Sequence, residues 1–236
     1  MSFPAPALTL PEEILLLTLD PRRGKPLCGR GSLRYATAGA ALAELEFQGR
    51  IREERGRVQV VNPLAPADPL LARLLDTLEP PRKSRFRTGT HAKNWVRQYA
   101  RYTEENCLEA LVQRGVLNRE TRRFLGLLPY QRHFPVRPET TASALRRFRQ
   151  AESHGFQDRR GRVMAGLVSA VGLASTLSAK GGGGRSAMKV LRRAEWTAHA
   201  VYRNVRQDSS SGGGDGGGGW GDGDGGGGGG CGGGGD

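Results

Sequence analysis

The chain has 236 residues, 36 Lys and Arg against 23 Asp and Glu, and a formal net charge of +13 at pH 7. That length allows one well-packed domain or two small ones, and a positive field of this size favours anionic partners: nucleic acid, an acidic membrane surface or acidic protein. Cys28, Cys107 and Cys231 are far apart, odd in number and without a CxxC pair, which argues against a disulfide framework or a zinc site and fits a reducing cytosol.

No apolar run reaches the ~18 to 20 residues that a membrane span needs. The N-terminus lacks a basic region and sets Glu12 and Glu13 against its apolar run, so it does not read as a signal peptide. The expectation is a soluble protein whose membrane contacts are peripheral. Composition splits the chain at residue 207. Residues 1–207 have a globular make-up, with 36 basic and 18 acidic residues, whereas 208–236 are Ser, Gly and Asp with Trp220 and Cys231. Such a tail cannot bury enough apolar surface to offset chain entropy, and it is expected to be disordered and flexible.

In chain order, Thr9 and Glu12 form a capping box with Pro11 in the first turn; Ile14, Leu15, Leu17 and Leu19 give the following helix its buried side. "DPRRGKPLCGRG" is a loop. "LRYATAGAALAELEFQGRI" predicts a second helix whose Ala36, Gly39, Ala40 and Ala43 allow a neighbouring helix to approach closely. A hairpin follows, turning at Arg55-Gly56 into a strand over 58–61 that Pro63 ends. Asp68 caps a helix from Pro69 to about Leu78, "EPPRKSRFRTGT" is a basic loop, and a longer helix runs from about His91 to Arg114 with Gly115 as its C-cap. In "GVLNRETRRFLGLLPYQRHFPV" a helix is expected to open at Asn118, carry Arg119, Arg122 and Arg123, and lead through an apolar stretch into a Pro-bounded hairpin. Three more helical segments close the domain. The one over 163–177 is apolar nearly all round and is expected to be the central buried helix, while "KGGGGRS" at 180–186 is expected to link two helices. The fold class that follows is mainly α: a single helical domain over 1–207 around a central apolar helix, with one or two small β-hairpins.

No catalytic constellation stands out. His91, His133, His154 and His199 show no metal-ligand spacing, there is no nucleophile elbow, and "KGGGGRS" lacks the phosphate-loop spacing and its Lys-Ser/Thr ending. No enzyme activity, cofactor or metal is expected. The helix, helix, hairpin order is also that of a winged helix, but the basic residues are spread along the chain without base-stacking aromatics beside them, so nucleic acid is the less favoured partner.

Several segments together resemble the Golgi phosphoprotein 3 family in its actinobacterial form: "LPEEILLLTLD", "GAALAELEFQGRI", "DPLLARLLDTL", "NWVRQYAR", "LEALVQRGVLNRETRRFLGLLPYQRHFPV", "DRRGRVMAGLVSAVGL" and "AEWTAHAVYRNV", in the family's order over about residues 8–206. The resemblance implies a non-enzymatic, peripheral membrane protein of one mostly helical domain. Eukaryotic members sit on the cytosolic face of the Golgi, bind phosphatidylinositol 4-phosphate and link membranes to protein cargo; a hairpin takes part in membrane contact and self-association. The family's head-group pocket uses a Trp and an Arg leading into the second helix and two Arg three residues apart before the "LVQRGVL" segment. Carried over by position, the first of that pair falls on Arg101, while the others fall on Glu104, Ala38 and near Gly29. Arg97, one turn before Arg101, and Arg34, one turn before Ala38, are the expected substitutes, because a phosphate needs convergent guanidinium forks more than one fixed position.

In the hairpin, Leu127, Leu128, Tyr130 and Phe134 with Arg132 and His133 suit a tip whose apolar side chains enter the head-group zone while cations stay at the phosphates. The functional expectation is an anionic-phospholipid-binding protein of the cytoplasm, peripherally membrane-associated, with a role as adaptor for protein cargo. The alternative is a protein-interaction or nucleic-acid-binding module that uses its basic surface without lipid specificity.

Overall fold

The computed structural model describes residues 8–79, 89–124 and 127–211. Trp220, Cys231 and most of the basic segment 79–90 therefore lie outside the described residues, as does the tail beyond Ser211 for which disorder is expected. The described chain forms nine helices and three small antiparallel sheets, in keeping with the mainly α expectation.

α1 (Leu10–Thr18) starts where the capping box places it: the Glu12 carboxylate accepts the Thr9 N–H at 2.9 Å. Its end pairs in two short strands, β1 (Leu19–Asp20) and β2 (Lys25–Pro26), that close the loop before α2 (Arg30–Phe47). α2 is lined with small residues, and Ala36, Ala38, Ala40, Ala41 and Ala43 are all fully buried. The close approach expected at Gly39 is real. A Cβ there would lie 2.4 Å from Val201 Cγ2 and 3.2 Å from Leu167 Cδ2.

β3 (Ile51–Glu54) and β4 (Arg57–Val60) form the expected hairpin, with Arg55 and Gly56 both at positive φ (51° and 80°), the combination that two-residue turns need to follow the strand twist. β5 (Thr90–His91) adds a third strand. Asp68 caps α3 (Pro69–Asp76), accepting the Leu71 N–H at 2.9 Å, and α4 (Ala92–Gln113) is the longest helix. β6 (Leu117–Phe124) and β7 (Leu128–Pro135) follow, then α5 (Pro138–Ser153), α6 (Arg159–Ala170), α7 (Ala174–Leu177), α8 (Gly181–Ala194) and α9 (Trp196–Ser211). α6 is buried from Val163 to Ala170 and packs against α1, α2, α5, α8 and α9. It is the central helix that its composition announced.

Four expectations are corrected. No helix opens at Asn118; the segment is a strand paired residue for residue with β7, from Leu117 opposite Pro135 to Phe124 opposite Leu128. The run at 163–177 is not one helix, because Gly172 (φ 78°) ends α6 and α7 restarts after it. The glycines at 181–184 are not a linker but the first turn of α8. Glycine costs a helix about 1 kcal/mol per residue, yet Gly184 sits where a Cβ would be 2.2 Å from Glu152 Oε1 and 2.3 Å from Ser178 Oγ, so packing outweighs propensity. Finally, α9 runs to Ser211, so Asp208 belongs to a helix rather than to the Gly-rich composition that follows it.

Candidate functional site

α2, α4 and α9 meet along one face of the molecule. On α4, Lys93, Arg97 and Arg101 recur every four residues and so share one side of the helix. α9 runs alongside in the same direction, clipped at two successive turns. The fully buried Asn204 amide donates to the Lys93 carbonyl at 2.9 Å and to the Ala200 carbonyl at 3.1 Å. One turn later Asp208 accepts from Arg97 at 3.1 Å and from the Tyr35 hydroxyl at 2.7 Å.

The three arginines expected at the head-group site lie on this face, but each meets a different carboxylate. Arg34 donates to Glu104 at 2.9 Å, Arg97 is held by Asp208, and Arg101 donates to Glu105 on its own helix at 2.7 Å. Arg34 and Arg97 are brought together: both act on the Tyr35 phenol, whose pKa burial and the Asp208 hydrogen bond push up and the two guanidinium groups pull down. Arg101 stands apart, with 74% of its side chain exposed. Burial raises the Glu104 carboxyl above its ordinary range against the pull of Arg34 and Arg30. Ala38 is fully buried, with no room for the Arg that the family pattern places there; Gly29, before the first turn of α2, is exposed and simply lacks the side chain that the pattern places near it.

Sequence reasoning missed the cations beside this trio. Lys93, Arg203 and Arg206 line a shallow concavity of about 570 Å³ together with His199, Tyr202 and Ser210. The four-residue spacing of Lys93 to Arg97 and Arg101 was a usable signal. Nothing in the sequence pattern marked Arg203 and Arg206, because the packing of α9 on α4 is what sets them opposite Lys93. A larger cleft of about 1580 Å³ opens between α1 and α5. Three of its six arginines are committed: Arg160 reaches Glu13, Glu44 and the Leu8 carbonyl, Arg147 reaches Glu13, and Arg114 reaches Glu12.

The second expected feature is the β6–β7 ribbon. Among the described residues its attachments to the body lie at its base. Leu117 is buried, Val136 N–H donates to the Val116 carbonyl at 3.0 Å, and His133 N–H donates to the Gly24 carbonyl at 3.1 Å. Phe134 is corrected from tip to base: its ring covers Gly24, where a Cβ would fall 2.7 Å from it. Arg132 stacks on Tyr130 with its guanidinium carbon 4.9 Å from the ring centroid, and Arg122 lies over Phe134 at 5.4 Å. Both Tyr130 and Arg132 are half-buried along the ribbon. At the far end Leu127 is 83% exposed; Leu128 opens β7 and its side chain lies outside the described residues. His133 is pressed below the ordinary histidine pKa by burial first, then by Arg119 and Arg30.

Among the described residues no cluster of His, Cys, Asp or Glu has the makings of a metal site, and no helix is long and apolar enough to cross a membrane. No curated protein matches the chain. The family model described as Golgi phosphoprotein 3 (GPP34) matches residues 10–207, the stretch that carries α1 through nearly all of α9 and with it both the cationic face and the ribbon. On that match the chain belongs to the Golgi phosphoprotein 3 (GPP34) family.

Proposed function

We propose that this protein is a non-enzymatic peripheral membrane protein that docks on anionic phospholipid through the β6–β7 ribbon and the cationic α2–α4–α9 face. The observation that carries this reading is the ribbon. A two-stranded hairpin has little stability of its own in water, yet this one extends for eight residues per strand with Leu127 bare at its end and Arg122 and Arg123 exposed beside it. Apolar tip and flanking guanidinium groups are the two ingredients of interfacial binding. Each cation near an anionic surface contributes roughly 1 kcal/mol, and burial of one leucine about 1.5–3 kcal/mol. Together they support reversible docking.

On the cationic face, Arg101 is the most available for a head group, because its partner Glu105 is itself exposed. Arg97 and Arg34 engage only by releasing Asp208 and Glu104. The single domain over 1–207, a cytoplasmic location and a role as adaptor for protein cargo belong to the same proposal. The two open edges of the ribbon also make it suited to self-association by strand pairing.

Co-sedimentation with phosphatidylcholine vesicles, with and without phosphatidylinositol 4-phosphate or cardiolipin, tests the reading. Leu127→Asp is expected to lower the bound fraction on anionic vesicles about tenfold in affinity, and Arg122→Gln with Arg123→Gln to lower it by a similar factor. Binding that ignores all three changes and disappears at moderate salt would instead mark the surface as a general polyanion or protein contact, the reading that the excess of arginine favours.

A further inference from the structure

The arginines at 34, 97 and 101 each have a carboxylate, whereas the cations in the adjoining concavity do not. Among the described residues, Lys93, Arg203 and Arg206 make no ion pair, and no Asp or Glu lines the concavity. The nearest acid in sequence, Asp208, is held by Arg97 and Tyr35. Arg192 stands behind the lining, only 8% exposed, with its guanidinium carbon 3.8 Å from the centroid of the Tyr202 ring. Charge of one sign over low-dielectric packing focuses its field outward. The same chain carries a segment of the opposite sign. Residues 212–236 hold Asp215, Asp222, Asp224 and Asp236 and no Lys or Arg. Within them Trp220, Asp222 and Asp224 alternate with glycine. On an extended backbone such alternation would set the indole and both carboxylates on one side, the carboxylates about 7 Å apart. Residues three apart on a helix, as Arg203 and Arg206 are, stand about 5–6 Å apart at Cβ, a spacing that two long guanidinium side chains match. The tether is short as well. α9 ends at Ser211, and Ser210 already lines the concavity. Asp222 follows Ser211 by a chain of at most about 40 Å, whereas Arg203 lies only about 10 Å back along the helix axis from Ser210.

We infer that the run from Trp220 to Asp224 turns back into this concavity, with Asp222 and Asp224 pairing with Arg203, Arg206 and Lys93, so that the chain carries its own blocking anion. A tethered carboxylate pair acts at an effective concentration on the order of millimolar. Contacts too weak to hold a free peptide therefore suffice to cover these cations until a stronger anion displaces the run. The Trp220 indole has the Tyr202 ring and the guanidinium planes to stack on. The Asn204 clip fixes the register of α9 on α4 and so sets both arginines against Lys93. The contact lies within one chain and stands apart from the proposed docking on anionic phospholipid, whose failure would leave it untouched.

Zero-length carbodiimide coupling of the full chain, read by peptide mass spectrometry, tests the inference, because the amide forms only where a carboxylate touches a lysine amine. Cross-links from Asp222 or Asp224 are expected on Lys93 at least about fivefold more often than on Lys25 or Lys180, which are exposed and lie outside the concavity. Arg203→Gln/Arg206→Gln is expected to lower the Lys93 cross-link about fivefold or more, and Arg101→Gln to leave it within about a factor of two. Arg203 and Arg206 are exposed and make no ion pair among the described residues, so the fold is retained, which far-ultraviolet circular dichroism checks. The yield should not change on dilution. Cross-links spread evenly over the three lysines, or a Lys93 cross-link that ignores the loss of Arg203 and Arg206, overturn the inference. A product found only as a covalent dimer also overturns it and assigns the run to a second copy of the chain.

Discussion

Gly39→Ala tests the packing on which both cationic sites depend. In the middle of α2 the exchange gains up to about 1 kcal/mol of helix propensity, so an uncrowded site would become more stable. Here the new Cβ would lie 2.4 Å from Val201 Cγ2, 3.2 Å from Leu167 Cδ2 and 3.5 Å from the Thr197 carbonyl oxygen. Val201 and Leu167 are fully buried and cannot swing into solvent. Val201 is also β-branched in a helix, with one strongly preferred rotamer. Overpacking of this kind costs about 1–3 kcal/mol, and the rigidity of Val201 places it near the upper end. The net expectation is destabilisation by about 1–2 kcal/mol.

Val201→Ala alone removes two buried carbons and costs about 2 kcal/mol. The double variant puts the new methyl group into the space that Val201 vacates, so it should be more stable than the two single losses add up to, by about 1 kcal/mol or more. Urea unfolding of all four proteins, followed by circular dichroism at several protein concentrations, measures the cycle. A stabilised Gly39→Ala, or a coupling indistinguishable from zero, would refute the α2–α9 contact and with it the register that aligns Arg97 with Asp208.

Further outcomes follow from the charge and packing of other sites. Because His133 has a lowered pKa in the folded state, the stability it contributes is present above the ordinary histidine range and is lost as pH falls through its folded value; the protection factors of the His133 and Val136 amides at the ribbon base, taken relative to the intrinsic exchange rate at each pH, should fall on acidification, and His133→Gln should remove that dependence. Burial pushes the Cys28 thiol up to about 12 and raises Cys107 as well, so iodoacetamide at pH 8 should modify Cys28 about a thousandfold more slowly than an ordinary thiol, as read by peptide mass spectrometry. Equal rates would contradict its burial. Gly184→Ala should destabilise by about 1–3 kcal/mol despite the better helix former, since the buried Glu152 carboxylate, which accepts the Ala179 N–H at 2.8 Å, has nowhere to retreat; a raised denaturation midpoint would overturn that account.

The helices were legible wherever apolar period and caps agreed. Thr9 with Glu12, Asp68 before Pro69 and the small-residue face of α2 all appear as the sequence predicts. What misled was local chemistry overruled by contacts distant in sequence. Asn118 and the arginines after it carry no apolar alternation, because nearly all of β6 past Leu117 is solvent-exposed, and a strand wet on both faces has no burial pattern to read. Of the glycines before Arg185, Gly184 is required by packing, since Glu152 from α5 and Ser178 after α7 leave no room for a side chain there. The site was half legible. Arg34, Arg97 and Arg101 do share a face; the Glu105 partner of Arg101 is legible as an i,i+4 pair, but Glu104 for Arg34 and Asp208 for Arg97 come from other helices and are invisible to spacing alone. Lys93, Arg203 and Arg206 converge only once Asn204 has fixed α9 against α4.

The acidic side chains of α1 and α2 also impose a timetable. Glu12 holds Arg114, Glu13 holds Arg147 and Arg160, and Glu44 shares Arg160 while also accepting the Leu10 N–H. The Glu13–Arg160 pair spans 147 residues. At ribosomal speeds of about 5–20 residues per second, roughly 7 to 30 s pass between the synthesis of its two halves. Within that interval the leucines of α1, buried in the finished fold, can pack on α2 almost at once, Glu12 and Glu13 gain Arg114 and Arg147 after 102 and 134 residues, and α6 comes last. The first helix made thus finds its first cover early, in α2, while the Glu13–Arg160 and Glu44–Arg160 pairs that lock it to α6 are among the last contacts to form.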